Sequence, residues 1–341
     1  MTVTGTLSMK TGDKNLITDV SGLRVGHAQQ ERLKSGTSVI LCDTPSVAAV
    51  QVLGGGPGTR ETDLLEPHNT VEQIHAICLS GGSAFGLDAA GGVQSYLRGQ
   101  SIGFEVGEHN IPIVPSAILF DLINGGDKDW GLHSPYRELG YQAAANAGKD
   151  FSLGAIGAGL GALTANKRGG LGSASSLLDN GFTVGSLVAV NPMGSVNIGQ
   201  SQHFWAAPFE IGDEFGGLGY PHPMPEDATD LQIKFRDMQR GGANTTIAII
   251  ATDAALTKAE AKRLAISAHD GFARAIWPCH TSYDGDLVFA LATGSSGRKP
   301  SADEYIDLCA AASSTMARGI ARGVYSAKPQ DGDIMPAWSQ E

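Results

Sequence analysis

The chain of 341 residues is 42% hydrophobic and carries a formal net charge of −11, from 24 Lys plus Arg against 35 Asp plus Glu. Length and apolar content allow one large or two ordinary domains with a substantial core and exclude a disordered chain; the 46 glycines follow no three-residue period, which excludes a collagen-like one. The acidic balance gives no attraction to phosphate backbones or anionic lipid, so neither nucleic acid nor a membrane surface is an expected partner.

In chain order, residues 1–15 alternate polar and small side chains without the apolar centre of a signal peptide, and no apolar run approaches the ~20 residues of a membrane span. Cys42, Cys78, Cys279 and Cys309 are widely spaced and form no Cys-x-x-Cys pair, which fits a reduced, cytoplasmic setting. Runs rich in Val, Ile and Leu predict strands over 22–29, 37–42, 48–53 and 74–79. A helix is expected over 83–98, an apolar stretch over 111–122 and a second helix over 136–146. Glycine clusters at 53–58, 80–86, 154–161 and 169–172 suggest tight turns and close backbone approaches. Strand-type runs follow at 183–190 and around Val196, and the Gly- and Pro-rich residues 216–230 predict a long exposed loop.

The pattern is clearest from residue 244 on. Residues 245–251 open on two threonines and are apolar on both alternating faces from Ile247, as a strand covered on both sides would be. Thr257-x-x-Glu260 resembles a capping box, and Ala261, Leu264, Ala265, Ala268, Phe272, Ala275 and Ile276 recur at helical spacing before Trp277-Pro278 ends the helix. Residues 287–292 form a second apolar strand and 302–323 a last helix. If the two strands of this strand-helix-strand unit are parallel, their starts lie at one sheet edge, which sets Thr245 beside the turn Asp284-Gly285-Asp286.

Several catalytic signatures are absent: there is no G-x-S-x-G, no G-x-x-x-x-G-K-[ST] and no H-E-x-x-H. Gly157 to Ala162 matches the loose dinucleotide pattern, with Asp179 downstream, but a glycine-rich chain produces such matches freely and no supporting βαβ unit is evident. None of the nine histidines forms a close pair of ligand spacing, so neither a metal nor another cofactor is expected.

The candidate chemistry centres on Thr245. If the backbone is cut between Asn244 and Thr245, the threonine becomes an N-terminus whose hydroxyl is the nucleophile and whose α-amine, with an ordinary pKa of about 7.7–8.0, is the adjacent base. The plainer readings are a β-branched residue opening a strand and the glycosylation pattern Asn244-Thr245-Thr246. Asp284 and Asp286 suit an ordinary turn, or a carboxylate pair that holds an ammonium, orients the hydroxyl and shifts each other's pKa by repulsion. Asn191, ahead of Pro192, suits a turn or an amide that stabilises an oxyanion. Lys167 and Arg168 suit solvated charges, or a cation near a reacting carbonyl.

Six segments stand in order along the chain: Asp19-Val-Ser-Gly-Leu-Arg-Val-Gly-His27, Gly55-Gly-Pro-Gly-Thr-Arg-Glu-Thr-Asp63, Leu79-Ser-Gly-Gly-Ser-Ala-Phe-Gly-Leu-Asp88, Gly169-Gly-Leu-Gly-Ser-Ala174, Trp205-Ala-Ala-Pro-Phe-Glu210 and Asn244-Thr-Thr-Ile247. Together they resemble the self-processing aminopeptidase family of the L-aminopeptidase/D-amidase DmpA, the β-peptidyl aminopeptidases and the nylon-oligomer hydrolases. The resemblance spans nearly the whole chain and is to the threonine-nucleophile branch. It implies an α/β fold, a four-layer α/β/β/α sandwich like that of N-terminal-nucleophile hydrolases but with its own topology. It also implies one domain over 1–341, cut into chains 1–244 and 245–341 that stay together and assemble as a homo-oligomer of such heterodimers.

Residue by residue, the resemblance makes Thr245 the nucleophile released by cleavage after Asn244, Asn191 the oxyanion donor, and Asp284 and Asp286 the acidic pair. Lys167 corresponds to the branch's active-site lysine, although residues 157–166 run one residue longer than the family pattern. Phe120 stands where members often carry Tyr, and a ring without a hydroxyl cannot donate a hydrogen bond to substrate. The implied activity is hydrolysis of amide bonds in small peptides, amino-acid amides or ω-amino oligoamides through an acyl-threonine. An acyltransferase using the same acyl-enzyme, and an uncut binding protein without chemistry, are the alternatives.

Overall fold

The computed structural model describes residues 8–236 and 244–340. The Gly241-Gly242 approach and residues 1–7 lie outside the described residues. The strands are β1 (Met9–Lys10), β2 (Leu23–Gln30), β3 (Ser35–Val52), β4 (Thr59–Arg60), β5 (Gln73–Ser80), β6 (Phe104–Val106), β7 (His109–Ile111), β8 (Ser116–Ile118), β9 (Gly170–Leu178), β10 (Thr183–Val190), β11 (Ile247–Thr252) and β12 (Leu287–Ala292). The helices are α1 (Ala89–Gly99), α2 (Tyr136–Ala145), α3 (Lys258–Ala273) and α4 (Ala302–Tyr325). One sheet runs in the order β1-β9-β10-β11-β12-β3-β5-β8-β4, with β2 paired to β3; β6 and β7 form a separate hairpin.

Three apolar layers organise these elements into four. On one side, Val184, Val188, Ala248, Ile250, Val288 and Ala290 of β10 to β12 pack on Leu264, Phe272, Met316 and Ile320 of α3 and α4. The opposite faces of the same strands, through Leu187, Ile247, Ile249, Leu287 and Phe289, meet Val25, Ile40, Ile77 and Leu79 of β2, β3 and β5. The far faces of β3 and β5, through Val39, Leu41, Ala76 and Cys78, cover Val93, Leu97, Leu139 and Ala143 of α1 and α2. The result is helices, sheet, sheet and helices, the four-layer α/β/β/α sandwich. Ile247 and Ile249 are wholly buried, and each such side chain contributes about 1.5–3 kcal/mol.

The two sheet layers are joined through β3. Its first half pairs with β2 and β5 and its second half with β12, with a register break between Leu41 and Ser46 where Asp43, Thr44 and Pro45 are exposed. The separate strands expected at 37–42 and 48–53 are thus one strand of 18 residues. The glycines at 169–172 make no turn of their own but do make the expected close backbone approach, at the start of strand β9. A Cβ on Gly170 would meet Gly323 O and one on Gly172 would meet Gly319 O, so these glycines let β9 lie directly against α4. No strand forms at Val196, where isolated bridges join Ser195 to Trp277 and Asn197 to Phe204. The helix expected from 83 begins as a 3-10 turn, Ser83–Asp88, and becomes α1 at Ala89.

The end of the chain that carries Thr245 follows its periodicity closely. Thr257 Oγ1 accepts the Glu260 N–H while a Glu260 carboxylate oxygen accepts the Thr257 N–H, closing the capping box of α3. The helix returns the chain so that β12 runs parallel to β11, Ile247 opposite Leu287. One further parallel bridge, Asn244 to Asp284, extends that register past the strand starts and aligns Thr245 with the 284–286 turn. Residues 216–230 form no helix or strand. Among the described residues no helix is long and apolar enough to cross a membrane, and no group of three or more His, Cys, Asp or Glu is arranged to hold a metal ion.

Candidate active site

Thr245 is 3% exposed and lies between the ends of two neighbouring strands. Its N–H donates to Asn191 O at the end of β10, at 2.9 Å, and its hydroxyl donates to the carbonyl of Asn244. The Gly285 N–H donates to that same Asn244 carbonyl at 3.2 Å. The Asn244–Thr245 peptide is therefore gripped on both sides by backbone. From the third side come the Gly54 N–H to Asp286 O, 3.1 Å, and the Gly56 N–H to Asp284 O, 2.8 Å, so the glycine loop after β3 braces the acidic turn.

Asp284 and Asp286 are both fully buried. Asp284 accepts the Met193 N–H at 3.0 Å, the Thr281 N–H at 3.0 Å and the Thr281 hydroxyl at 2.6 Å. Burial, and after it the neighbouring Asp286, hold its carboxyl above the usual carboxylate range. Asp286 accepts the Thr246 N–H at 2.8 Å through one oxygen and meets both the N–H and Nδ1 of His280 at 2.9 Å through the other. His280 Nε2 lies 3.2 Å from His269 Nδ1, and His269 Nε2 lies 2.9 Å from Gln51 O. A carbonyl can only accept, so His269 Nε2 carries a proton, and burial pushes its pKa down to about 4. Among the described residues neither carboxylate bonds the Thr245 hydroxyl. They fix the residues on either side of it.

Asn191 is the other hub, fully buried. Its Nδ2 donates to Phe120 O at 3.0 Å, and among the described residues its second amide proton has no other acceptor. Its Oδ1 accepts from Leu163 N–H at 3.0 Å, Asn124 Nδ2 at 3.3 Å and Lys234 Nζ at 2.9 Å. Lys234 Nζ also donates to Leu163 O at 2.8 Å and to Asn191 O at 3.3 Å. Burial pushes this lysine down to about 7, against the opposing pull of Asp284, Asp286 and Asp121. Lys234, Asn124 and His280 are not among the residues singled out in the sequence. The signal that was available for Lys234 is its place between Ile233 and Phe235, a cation flanked by apolar side chains.

Thr245, Asn191, Asp284 and Asp286 thus converge on one corner, and Phe120 reaches it through its carbonyl. Lys167 lies in the 163–168 loop, where Thr164 N–H and hydroxyl both bond its carbonyl, in the same loop as the Leu163 that serves Asn191 and Lys234. Lys167 and Arg168 are each 2% exposed, so the reading of solvated charges is corrected. Arg168 bonds Asp333 at 2.6 Å and Leu160 O at 2.7 Å, which ties the loop to the C-terminal segment. The glycine-rich 157–161 segment forms only a three-residue 3-10 turn, Gly157–Gly159, too short to present the helix N-terminus a dinucleotide phosphate needs.

Residues 15–335 match the model of peptidase family S58. An uncharacterized aminopeptidase of Mycobacterium tuberculosis is 41% identical over 338 residues, covering 93% of this chain and 96% of the relative. A 6-aminohexanoate-oligomer endohydrolase of a Kocuria species is 27% identical over 300 residues, covering 83% and 76%. Among solved structures, the L-aminopeptidase D-Ala-esterase/amidase of Ochrobactrum anthropi, a variant of the Ntn hydrolase fold, superposes with a TM-score of 0.65 at 19% identity, covering 96% of this chain and 90% of that one, which shows a shared fold.

Proposed function

The chain belongs to peptidase family S58 and is a peptidase-type enzyme, and on that premise we propose that it is a self-processing amide hydrolase whose nucleophile is Thr245. The observation that carries the reading is the Thr245 hydroxyl bonded to the carbonyl of the residue before it, with Gly285 N–H on the same oxygen. During maturation Oγ1 attacks the Asn244 carbonyl carbon, and the oxyanion that develops is stabilised by the Gly285 N–H. The C–N bond then breaks, Thr245 nitrogen takes the proton, and water hydrolyses the ester to leave an Asn244 carboxylate and a free Thr245. Chains 1–244 and 245–341 stay together because β10 and β11 are adjacent in one sheet.

In turnover the Thr245 amine takes the hydroxyl proton while Oγ1 attacks a substrate carbonyl, and the departing amine receives that proton. The second Nδ2 proton of Asn191 is a donor for the substrate oxyanion, and Lys167 is the cation that assists it. Water then releases the acyl group. The substrate class is a small amide with a free amine, an amino-acid amide, short peptide or ω-amino oligoamide, for which the buried carboxylates supply negative charge. Intact-mass measurement of the denatured protein tests the reading: two species divided at Asn244–Thr245 are expected, and Thr245→Ala is expected to give one uncut, inactive species. An active Thr245→Ala enzyme overturns it.

A further inference from the structure

Two nitrogens converge on one oxygen in this corner. Asn191 O accepts both the Thr245 N–H, at 2.9 Å, and Lys234 Nζ, at 3.3 Å. We propose that Lys234 is a positioning residue that keeps the Thr245 α-amine in its proton-accepting form once the chain is cut. The inference rests on the reading of Thr245 as the nucleophile.

The lysine site is built for a cation. Lys234 is 2% exposed, and the three protons of an ammonium match three acceptors, Leu163 O, Asn191 Oδ1 and Asn191 O. A neutral amine has only two protons and leaves one acceptor short. Among the described residues no carboxylate pairs with Nζ directly, but Asp284 and Asp286 from the turn ahead of β12 and Asp121 after β8 face it, and Lys167 lies in the loop that supplies Leu163. Lys234 is also anchored independently of the cleaved bond, because its own N–H donates to Met193 O at 2.9 Å while the Met193 N–H is held by Asp284.

Cleavage converts Thr245 nitrogen from an amide to an amine on a strand whose position is otherwise set by β10 and β12. A protonated Lys234 two hydrogen bonds away opposes a second positive charge there. Burial acts in the same sense on both amines, and it already pushes Lys234 down to about 7. A proton held on Lys234 therefore disfavours a second one on the Thr245 nitrogen. The acidic groups facing Lys234 keep the proton there, so the Thr245 amine is free to accept the hydroxyl proton.

The test is the pH dependence of kcat/KM for the cut enzyme with alanine p-nitroanilide, in wild type, Lys234→Met and Lys234→Arg, with cleavage verified by mass. Activity requires the unprotonated amine, so raising its pKa moves the acid limb to higher pH. Lys234→Met is expected to move that limb up by about one unit, an approximately tenfold loss on the acid side that closes at alkaline pH, whereas Lys234→Arg keeps the low limb. A limb that stays in place in Lys234→Met, or rises in Lys234→Arg, overturns the inference. Should neither variant be cut, the wild-type enzyme still decides: the pH at which the Thr245 amine is half-modified by reductive methylation is expected below the ordinary range of about 7.7–8.0, and a value within it overturns the inference. A wild type that is never cut, or an active Thr245→Ala, instead overturns the underlying reading of Thr245.

Discussion

Thr245 and Gly285 meet across the starts of two parallel strands, and the contact leaves Gly285 no room for a side chain: a Cβ there would lie 2.6 Å from Thr245 Oγ1 and 2.8 Å from Gly56 O. One of those neighbours is the proposed nucleophile and the other is backbone of the bracing loop. Gly285→Ala must therefore displace either the hydroxyl or the turn whose N–H serves the Asn244 carbonyl. Misplacement on the order of 1 Å costs roughly 10²-fold in rate. We expect Gly285→Ala to be cut far more slowly than wild type in an intact-mass time course, and wild-type cleavage kinetics would show that the contact is unimportant.

Asn191 joins four partners through its side-chain amide. Asn191→Ala removes the acceptor used by Leu163 N–H and Lys234 Nζ and the donor used by Phe120 O. Each orphaned buried group costs about 1–3 kcal/mol, and loss of an oxyanion donor costs about 10²–10³ in kcat. The variant is expected to unfold at lower urea and, where it is still cut, to lose kcat by about that factor. A kcat within a few-fold of wild type would remove Asn191 from the proposed chemistry.

His27 supplies a pH dependence away from the candidate site. Its Nδ1 shares a 2.9 Å hydrogen bond with Ser38 Oγ, its buried Nε2 has no partner among the described residues, and burial pushes its pKa from the ordinary 6.5 down to about 4. The unfolded chain thus binds a proton between those values that the folded chain refuses. The stability this neutral imidazole permits is present above about pH 6.5 and is lost as the pH falls toward 4, by roughly 3 kcal/mol at most. Between pH 7.5 and pH 5 the urea midpoint of wild type should drop more than that of His27→Gln. Parallel drops in the two proteins would show that His27 does not titrate this way.

Much of the fold is legible in the residues because periodicity reports burial. The double-faced apolar run from Ile247, the Thr257 capping box and the second run from Leu287 were sufficient to set Thr245 beside Asp284-Gly285-Asp286, since a helical return makes neighbouring strands parallel and brings their starts to one edge. Composition left two roles open for the glycines of 169–172, tight turns or close backbone approaches, and packing selected the second: Gly170 and Gly172 lie within β9 because α4 approaches its backbone. The continuity of β3 was hidden by Asp43, Thr44 and Pro45, a polar interruption at a register break.

The sequence by itself therefore determined which strands flank Thr245, which follows from local pattern over a few residues, and offered Asn244–Thr245 as the candidate bond through the resemblance carried by six ordered segments. Only the tertiary structure decided what surrounds that bond. Lys234, Asn124, His280 and His269 come from segments distant in the chain, and no periodicity reports that a lysine ammonium and a threonine nitrogen converge on one carbonyl oxygen. Such a meeting is fixed by the packing of whole layers, which buries the charged groups together and so sets the protonation on which the proposed chemistry depends.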